Sequence, residues 1–124
     1  MKVIIAGGRN FTNFNTVSDA IEASGFEITE VVSGMAKGVD TLGEVYALGK
    51  NIPVVGFPAD WNKHGRAAGP MRNKEMAEYA NALIAVWDGI SKGTANMIMQ
   101  ARRNGLDVFI YLVKESNEGK SSDN

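Results

Sequence analysis

Five short runs of β-branched and other apolar residues, each separated from the next by a helix-length segment, constrain this chain more than any other feature. They are Val3-Ile4-Ile5-Ala6, Ile28 to Val32, Ile52 to Phe57, Ala82 to Trp87 and Val108 to Val113. Apolar runs of this length without polar alternation are what strands buried on both faces require. The intervening segments carry helical spacing: Val17 and Ile21; Leu42, Val45, Tyr46 and Leu48; Met76, Ala77 and Ala80; Met97, Ile98 and Ala101. Strands alternating with helices through short connections predict a single Rossmann-like, three-layer α/β domain with a five-stranded parallel sheet in the order 3-2-1-4-5. The strands are expected near residues 2–6, 28–33, 52–57, 82–87 and 107–113, and the domain over residues 1–113. Residues 114–124 are polar, contain Ser and Gly, and are expected to form a disordered tail.

In such a sheet, ligands bind outside the carboxyl ends of the strands. Three strands end there in glycine turns that carry a cation: Gly7-Gly8-Arg9-Asn10, Ser33-Gly34-Met35-Ala36-Lys37-Gly38-Val39-Asp40 and Asp88-Gly89-Ile90-Ser91-Lys92-Gly93-Thr94. In the second, Gly34 and Gly38 let the backbone turn tightly into a helix whose first N–H groups face the loop. With Lys37 beside them, these donors favour an anion, above all a phosphate. An ordinary strand-to-helix connection with Asp40 as N-cap has the same composition.

At 124 residues the chain can bury a core without staples. The absence of cysteine excludes disulfides and thiol chemistry, and one histidine, His64, argues against a histidine metal cluster. No metal and no cofactor are expected. Thirteen Lys and Arg against fourteen Asp and Glu give a net charge of −1, so there is no general basic field for a nucleic-acid backbone. Neither a signal peptide nor a membrane-length apolar run is recognisable, which predicts a cytoplasmic protein with no membrane partner.

Two common nucleotide motifs fail on spacing. The first glycine turn lacks the third glycine of G-x-G-x-x-G, and no Walker loop occurs. Individual side chains allow two readings each. Arg9 can grip a phosphate bidentately or form a surface ion pair. Ala59 to Gly69 reads as an ordered irregular loop beside the site, whose Trp61 can stack on a base or pack into the core. Arg72 and Asn73 follow Pro70 and are expected in a first helical turn, where a cation opposes the helix dipole and hints at an anionic partner. Asp88 can accept from a ribose hydroxyl or simply close an Asp-Gly turn. His64 and Glu75 read as surface residues.

Taken in order, Ile5-Ala6-Gly7-Gly8-Arg9, Val32 to Asp40, Phe57-Pro58-Ala59-Asp60-Trp61, Gly69-Pro70-Met71-Arg72-Asn73, and Trp87-Asp88-Gly89 followed by Gly93-Thr94 resemble the small YspA-like (DUF2493) branch of the SLOG superfamily. That resemblance spans residues 2 to about 113 and implies a nucleotide-like small-molecule ligand, such as a phosphorylated nucleoside or an NAD- or ADP-ribose-derived nucleotide, without naming one reaction. Its relatives include phosphoribohydrolases, a DNA-processing family that loads single-stranded DNA, and sensor domains. The ligand set it implies is Gly7, Gly8, Arg9, Ser33, Gly34, Lys37, Gly38, Asp40, Arg72, Asn73, Asp88, Gly93 and Thr94, with Trp61 as the stacking candidate. The phosphoribohydrolases carry a glutamate shortly after their Gly-Thr turn, whereas Ala95-Asn96-Met97 follows Thr94 here. Glu44 is the substitute candidate for a catalytic carboxylate, and the missing glutamate favours binding over hydrolysis. The resemblance also implies self-association, as a dimer or larger; Met97, Ile98, Met99 and Val108 to Leu112 offer apolar surface for it.

Overall fold

Successive residues of the first strand are buried on opposite faces of one sheet, Val3 and Ile5 in one apolar cluster and Ile4 and Ala6 in another. A strand sandwiched in this way has no solvated face, which is why its sequence shows no polar alternation. The computed structural model describes residues 1–114. Its strands are β1 (Lys2–Gly7), β2 (Glu30–Ser33), β3 (Val54–Gly56), β4 (Ala82–Trp87) and β5 (Asp107–Leu112). All pair in parallel, in the order β3-β2-β1-β4-β5, as the alternation predicts.

Helices α1 (Phe14–Ser24) and α2 (Val39–Gly49) cover one face. Val17, Ile21, Val39 and Tyr46 pack there against Val3, Ile5, Ile84 and Val86. Helices α4 (Ala68–Tyr79) and α5 (Lys92–Arg103) cover the other, with Met76, Met97, Ile98 and Ala101 against Ile4, Val32 and Leu83. Fully burying one such aliphatic side chain stabilises by roughly 1.5–3 kcal/mol, so the central strands dominate the fold's energetics.

The segment after β3 departs from the expected irregular loop. Residues Trp61–His64 form a short helix, α3, and Gly65–Ala67 a 3-10 turn that runs directly into α4. Asp60 starts α3 by accepting from the Lys63 N–H at 3.0 Å, a side-chain cap too local to leave a periodic signal. Because α4 begins at Ala68, Pro70 is its third residue, still among the positions whose N–H has no helical partner. Arg72 and Asn73 therefore lie in the second turn, and the expected opposition of Arg72 to a helix start lapses. The predicted disordered tail falls almost wholly on residues 115–124, outside the described residues. Among the described residues, no helix is long and apolar enough to cross a membrane, and no group of three His, Cys, Asp or Glu is placed to hold a metal ion.

Candidate functional site

Parallel strands deliver every strand-to-helix turn to one edge, and two of the glycine turns meet there in direct contact. The Val39 N–H donates to the Gly8 carbonyl at 3.1 Å. Gly38, with φ +78°, lies so close behind that an added Cβ would stand 2.1 Å from the same carbonyl oxygen. Gly7 is equally confined, between the Val86 carbonyl and the Val39 side chain. These contacts fix where the Arg9 main chain leaves the sheet.

In front of the joined turns lies a cavity of about 370 Å³, bounded by β1, α2, α4 and the start of α5. Gly7, Arg9, Asp40, Trp61, Arg72, Asn73, Gly93 and Thr94 all line it, so eight of the side chains and glycines singled out in the sequence converge although they are spread over the chain. A second cavity of about 550 Å³ adjoins it and is lined by Gly34 and Lys37. Gly8 and Asp88 line a third, of about 240 Å³. Ser33, Gly38 and Glu44 line none of the three and stand behind the walls. The Ser33 hydroxyl donates to the Glu44 carboxylate and accepts from the Met35 N–H at 3.0 Å, which supports the turn from beneath.

Asp40 is not the N-cap of α2. That position is Gly38, and no side chain caps it. Asp40 instead sits inside the first turn, 6 % exposed, with Oδ2 accepting from the Ala36 N–H at 3.3 Å. Burial pushes its carboxyl up to about 6, against the opposing pull of the Ala36 N–H and of Arg72. Arg72 itself is lowered by burial, with Asp40 partly restoring it. From α4 its Nη1 donates to the Gly34 carbonyl and its Nε to the Asn73 side-chain oxygen at 3.0 Å. The Asn73 amide then donates to the Asn96 side-chain oxygen at 2.9 Å, joining α4 to α5. Arg9 lines the same cavity and lies over the Trp61 ring, 5.5 Å from its centroid. Trp61 is 47 % exposed, so it is no core residue, and the edge of its ring lies beside Gly69.

Asp88 holds its own turn: its Oδ1 accepts from the Ile90 and Ser91 N–H groups, each at 2.8 Å, and these bonds keep its carboxyl below the usual range. His64 belongs to α3 and lines none of the three cavities, and Glu75 is exposed on α4. Sequence reasoning placed Ala36 and Lys92 in the glycine turns without counting them in the ligand set, and it missed Asn96 as a cavity residue. Asn96 was open to notice, since it lies close to where the phosphoribohydrolases carry their glutamate. The structure puts a neutral amide pair, Asn73 and Asn96, in that region.

Three cationic residues, Arg9, Arg72 and Lys92, one buried carboxyl and the start of α5 thus line a half-enclosed cavity, an arrangement suited to an anion with an attached organic group. Residues 1–64 match the sequence model of the YspA, cpYpsA-related SLOG family. The gene 61 protein of Mycobacterium phage D29 is 32% identical over 120 residues, an alignment covering 89% of this chain and 95% of that protein. The chain belongs to the SLOG family. Its fold is shared by DNA processing protein A from Streptococcus pneumoniae, with a TM-score of 0.71 and 18% identity, over 97% of this chain and 60% of that one. The present chain therefore spans less than two thirds of the DNA-processing protein. As in that SLOG-fold neighbour, the parallel Rossmann-like sheet is the shared element, and the family assignment brings a nucleotide-related fold with it.

Proposed function

We propose that the protein binds a phosphorylated nucleoside or an NAD- or ADP-ribose-derived nucleotide in the cavity at the carboxyl edge of the sheet, as a sensor or a sequestering protein. The observation that carries this reading is the presence of Arg9 and Arg72 together in the lining of one cavity, with the half-exposed Trp61 under Arg9. Guanidinium groups match phosphate geometry, and an exposed aromatic face suits a base. Family membership supports the nucleotide class.

Hydrolysis of an N-glycosidic bond is the second reading, and one observation favours it. Among the described residues, Asp40 is the only carboxylate lining the main cavity, and its elevated pKa would let it donate a proton near neutral pH. Binding without turnover accounts for more of the site, because Oδ2 of Asp40 is engaged by the Ala36 N–H and Met97 stands three residues after Thr94, where the phosphoribohydrolase pattern has its glutamate. Glu44 is engaged by Ser33 behind the wall. Single-stranded DNA ranks third: the net charge is −1 and the arginines converge in a cavity rather than along an exposed stripe. Incubation with AMP, ADP-ribose and cyclic ADP-ribose, followed by chromatography of the released ligand, separates the first two readings. Unchanged ligand retained by the protein supports binding; free base establishes hydrolysis.

Self-association belongs to the same proposal, with a revised surface. Met97 and Ile98 are core residues, so the exposed apolar groups near the β5 edge are Met99 and Leu112.

A further inference from the structure

Asn96 stands at the end of a chain of hydrogen bonds whose direction is fixed at its start. The Arg72 guanidinium has donors only, so the Asn73 oxygen must be the atom that meets its Nε, at 3.0 Å. The Asn73 nitrogen is thereby turned to the Gly93 carbonyl, which can only accept, at 3.4 Å, and to the Asn96 Oδ1 at 2.9 Å. Two separate partners thus agree on one orientation of Asn73. Asn96 in turn uses its oxygen in that bond, and its Nδ2 has no partner among the described residues. No buried side-chain nitrogen or oxygen among them lacks a partner, so this nitrogen is accessible, on a residue that lines the main cavity. Asn96 therefore offers N–H donors where a freely turning asparagine would offer either atom. The other polar groups of the lining have different uses: Arg9, Arg72 and Lys92 are cationic and suit a phosphate, while the Ser91 and Thr94 hydroxyls bond each other at 3.3 Å. The neutral donor of Asn96 shares the cavity with the apolar surface of Ala6, Met76 and Met97, a combination that suits a base with an acceptor at its edge.

We infer that Asn96 is a specificity-determining residue whose N–H groups select a 6-oxopurine over a 6-aminopurine, and that Asn73 is the positioning residue that keeps those N–H groups turned outward. This rests on the nucleotide reading above and deepens it. A 6-oxo group accepts from Asn96, whereas a 6-amino group in the same place sets donor against donor and leaves both without the bonds they make in water. The preference belongs to the pair, because Asn96 alone could turn its amide to suit either base.

Calorimetric titration of the full chain with inosine monophosphate and AMP, which share ribose and phosphate and differ at the 6-position of the purine, tests the inference. The inosine nucleotide is expected to bind the wild type about tenfold or more tighter than AMP. In Asn73→Asp the new carboxylate still accepts from Arg72 but cannot donate to Asn96, so the Asn96 amide turns its nitrogen inward and presents its oxygen; the preference is expected to reverse toward AMP. A merely structural role for Asn73 would weaken both nucleotides and leave their ratio alone. Asn96→Asp, which keeps an acceptor for Asn73 and replaces the free nitrogen by an oxygen, is expected to reverse the ratio as well, and it carries the test if Asn73→Asp does not fold. Equal or tighter wild-type binding of AMP would overturn the assignment while leaving the nucleotide reading in place. A folded Asn96→Asp that weakens the two nucleotides equally would give the contact to a phosphate oxygen and overturn it too. Failure of both nucleotides to bind the wild type would overturn the underlying reading.

Discussion

Arg72 on α4 donates to the main-chain carbonyl of Gly34, 38 residues earlier, and so ties the second covering layer to the turn that begins α2. A Cβ on Gly34 would stand 2.6 Å from that guanidinium and 2.8 Å from the Asp40 Oδ2, so a larger residue at position 34 would require these side chains to shift. The same side chain faces the cavity, lies near the buried Asp40 and bonds Asn73. Arg72 therefore has a structural role that no single substitution separates from the binding role we propose for it.

Replacing Arg72 by Ala is expected to lower both ligand affinity and thermal stability. Hydrogen bonds to a charged partner contribute roughly 1.5–3 kcal/mol, and Asp40 would be left without its nearest cation. Calorimetry and a melting curve on the same preparation should fall together, the affinity by about one to two orders of magnitude. A variant that melts as the wild type does would remove Arg72 from the structural role.

The Asp40 carboxyl makes a pH prediction whose sign can be worked out. Its folded pKa is raised to about 6 from 3.8, chiefly by burial, so the native state holds this proton more tightly than the unfolded chain. Stability from this group therefore declines as pH rises from about 4 to 6, and the full cost is present above 6. Asp40→Asn should raise the melting temperature at pH 8 and change it little at pH 4. The neighbouring charges are Arg72, Glu44 and Arg9. Because an ionised Asp40 repels an anion in the same cavity, wild-type affinity for ADP-ribose should strengthen as pH falls from 8 to 5, while Asp40→Asn should bind with no such dependence. Identical pH profiles for the two proteins would contradict the assignment.

The glycines separate by what surrounds them. Gly38→Ala puts a Cβ 2.1 Å from the Gly8 carbonyl oxygen at a φ of +78°. More than about 1 kcal/mol should be lost, with a melting temperature several degrees lower. Gly93→Ala meets nothing within 4 Å and lies in the first turn of α5, so it should melt at or slightly above the wild type. If Gly93→Ala destabilised as much as Gly38→Ala, the packing of the joined turns would be misassigned.

Much of this architecture was readable before any coordinates, for a physical reason. The β1 and β4 runs are apolar on both faces, and only a covered parallel sheet accommodates them, so strand identity, order and the edge that gathers the turns followed together. What escaped depends on single local bonds. Asp60 starting α3 and Asp40 lying inside α2 rather than capping it are decided by one hydrogen bond each, which no periodicity reports. The Asn73–Asn96 bridge joins residues 23 apart on two helices, and a lone Asn on each gives no hint of the partner. Eight chosen residues reached one cavity because strand polarity sends them there; Ser33 and Glu44 turned behind it because their side chains found each other first.

Exposed Leu112 on the edge strand β5 and Met99 on α5 lead to an expected dimer or larger assembly. Light scattering at micromolar concentration should return at least twice the monomer mass, and Leu112→Glu should lower it. A monomer mass for the wild-type chain would contradict this.

The central claim, an anion site built from converging strand-to-helix turns, is tested most directly at Arg9. Its side chain is exposed, bonds no carboxylate among the described residues and touches only the Trp61 ring among aromatic groups, so it contributes little to folding. Calorimetric titration of Arg9→Ala with ADP-ribose, paired with a melting curve, should show affinity weakened about tenfold to a hundredfold at an unchanged melting temperature. Unchanged affinity with a large drop in melting temperature would make Arg9 a structural residue and place the phosphate site elsewhere.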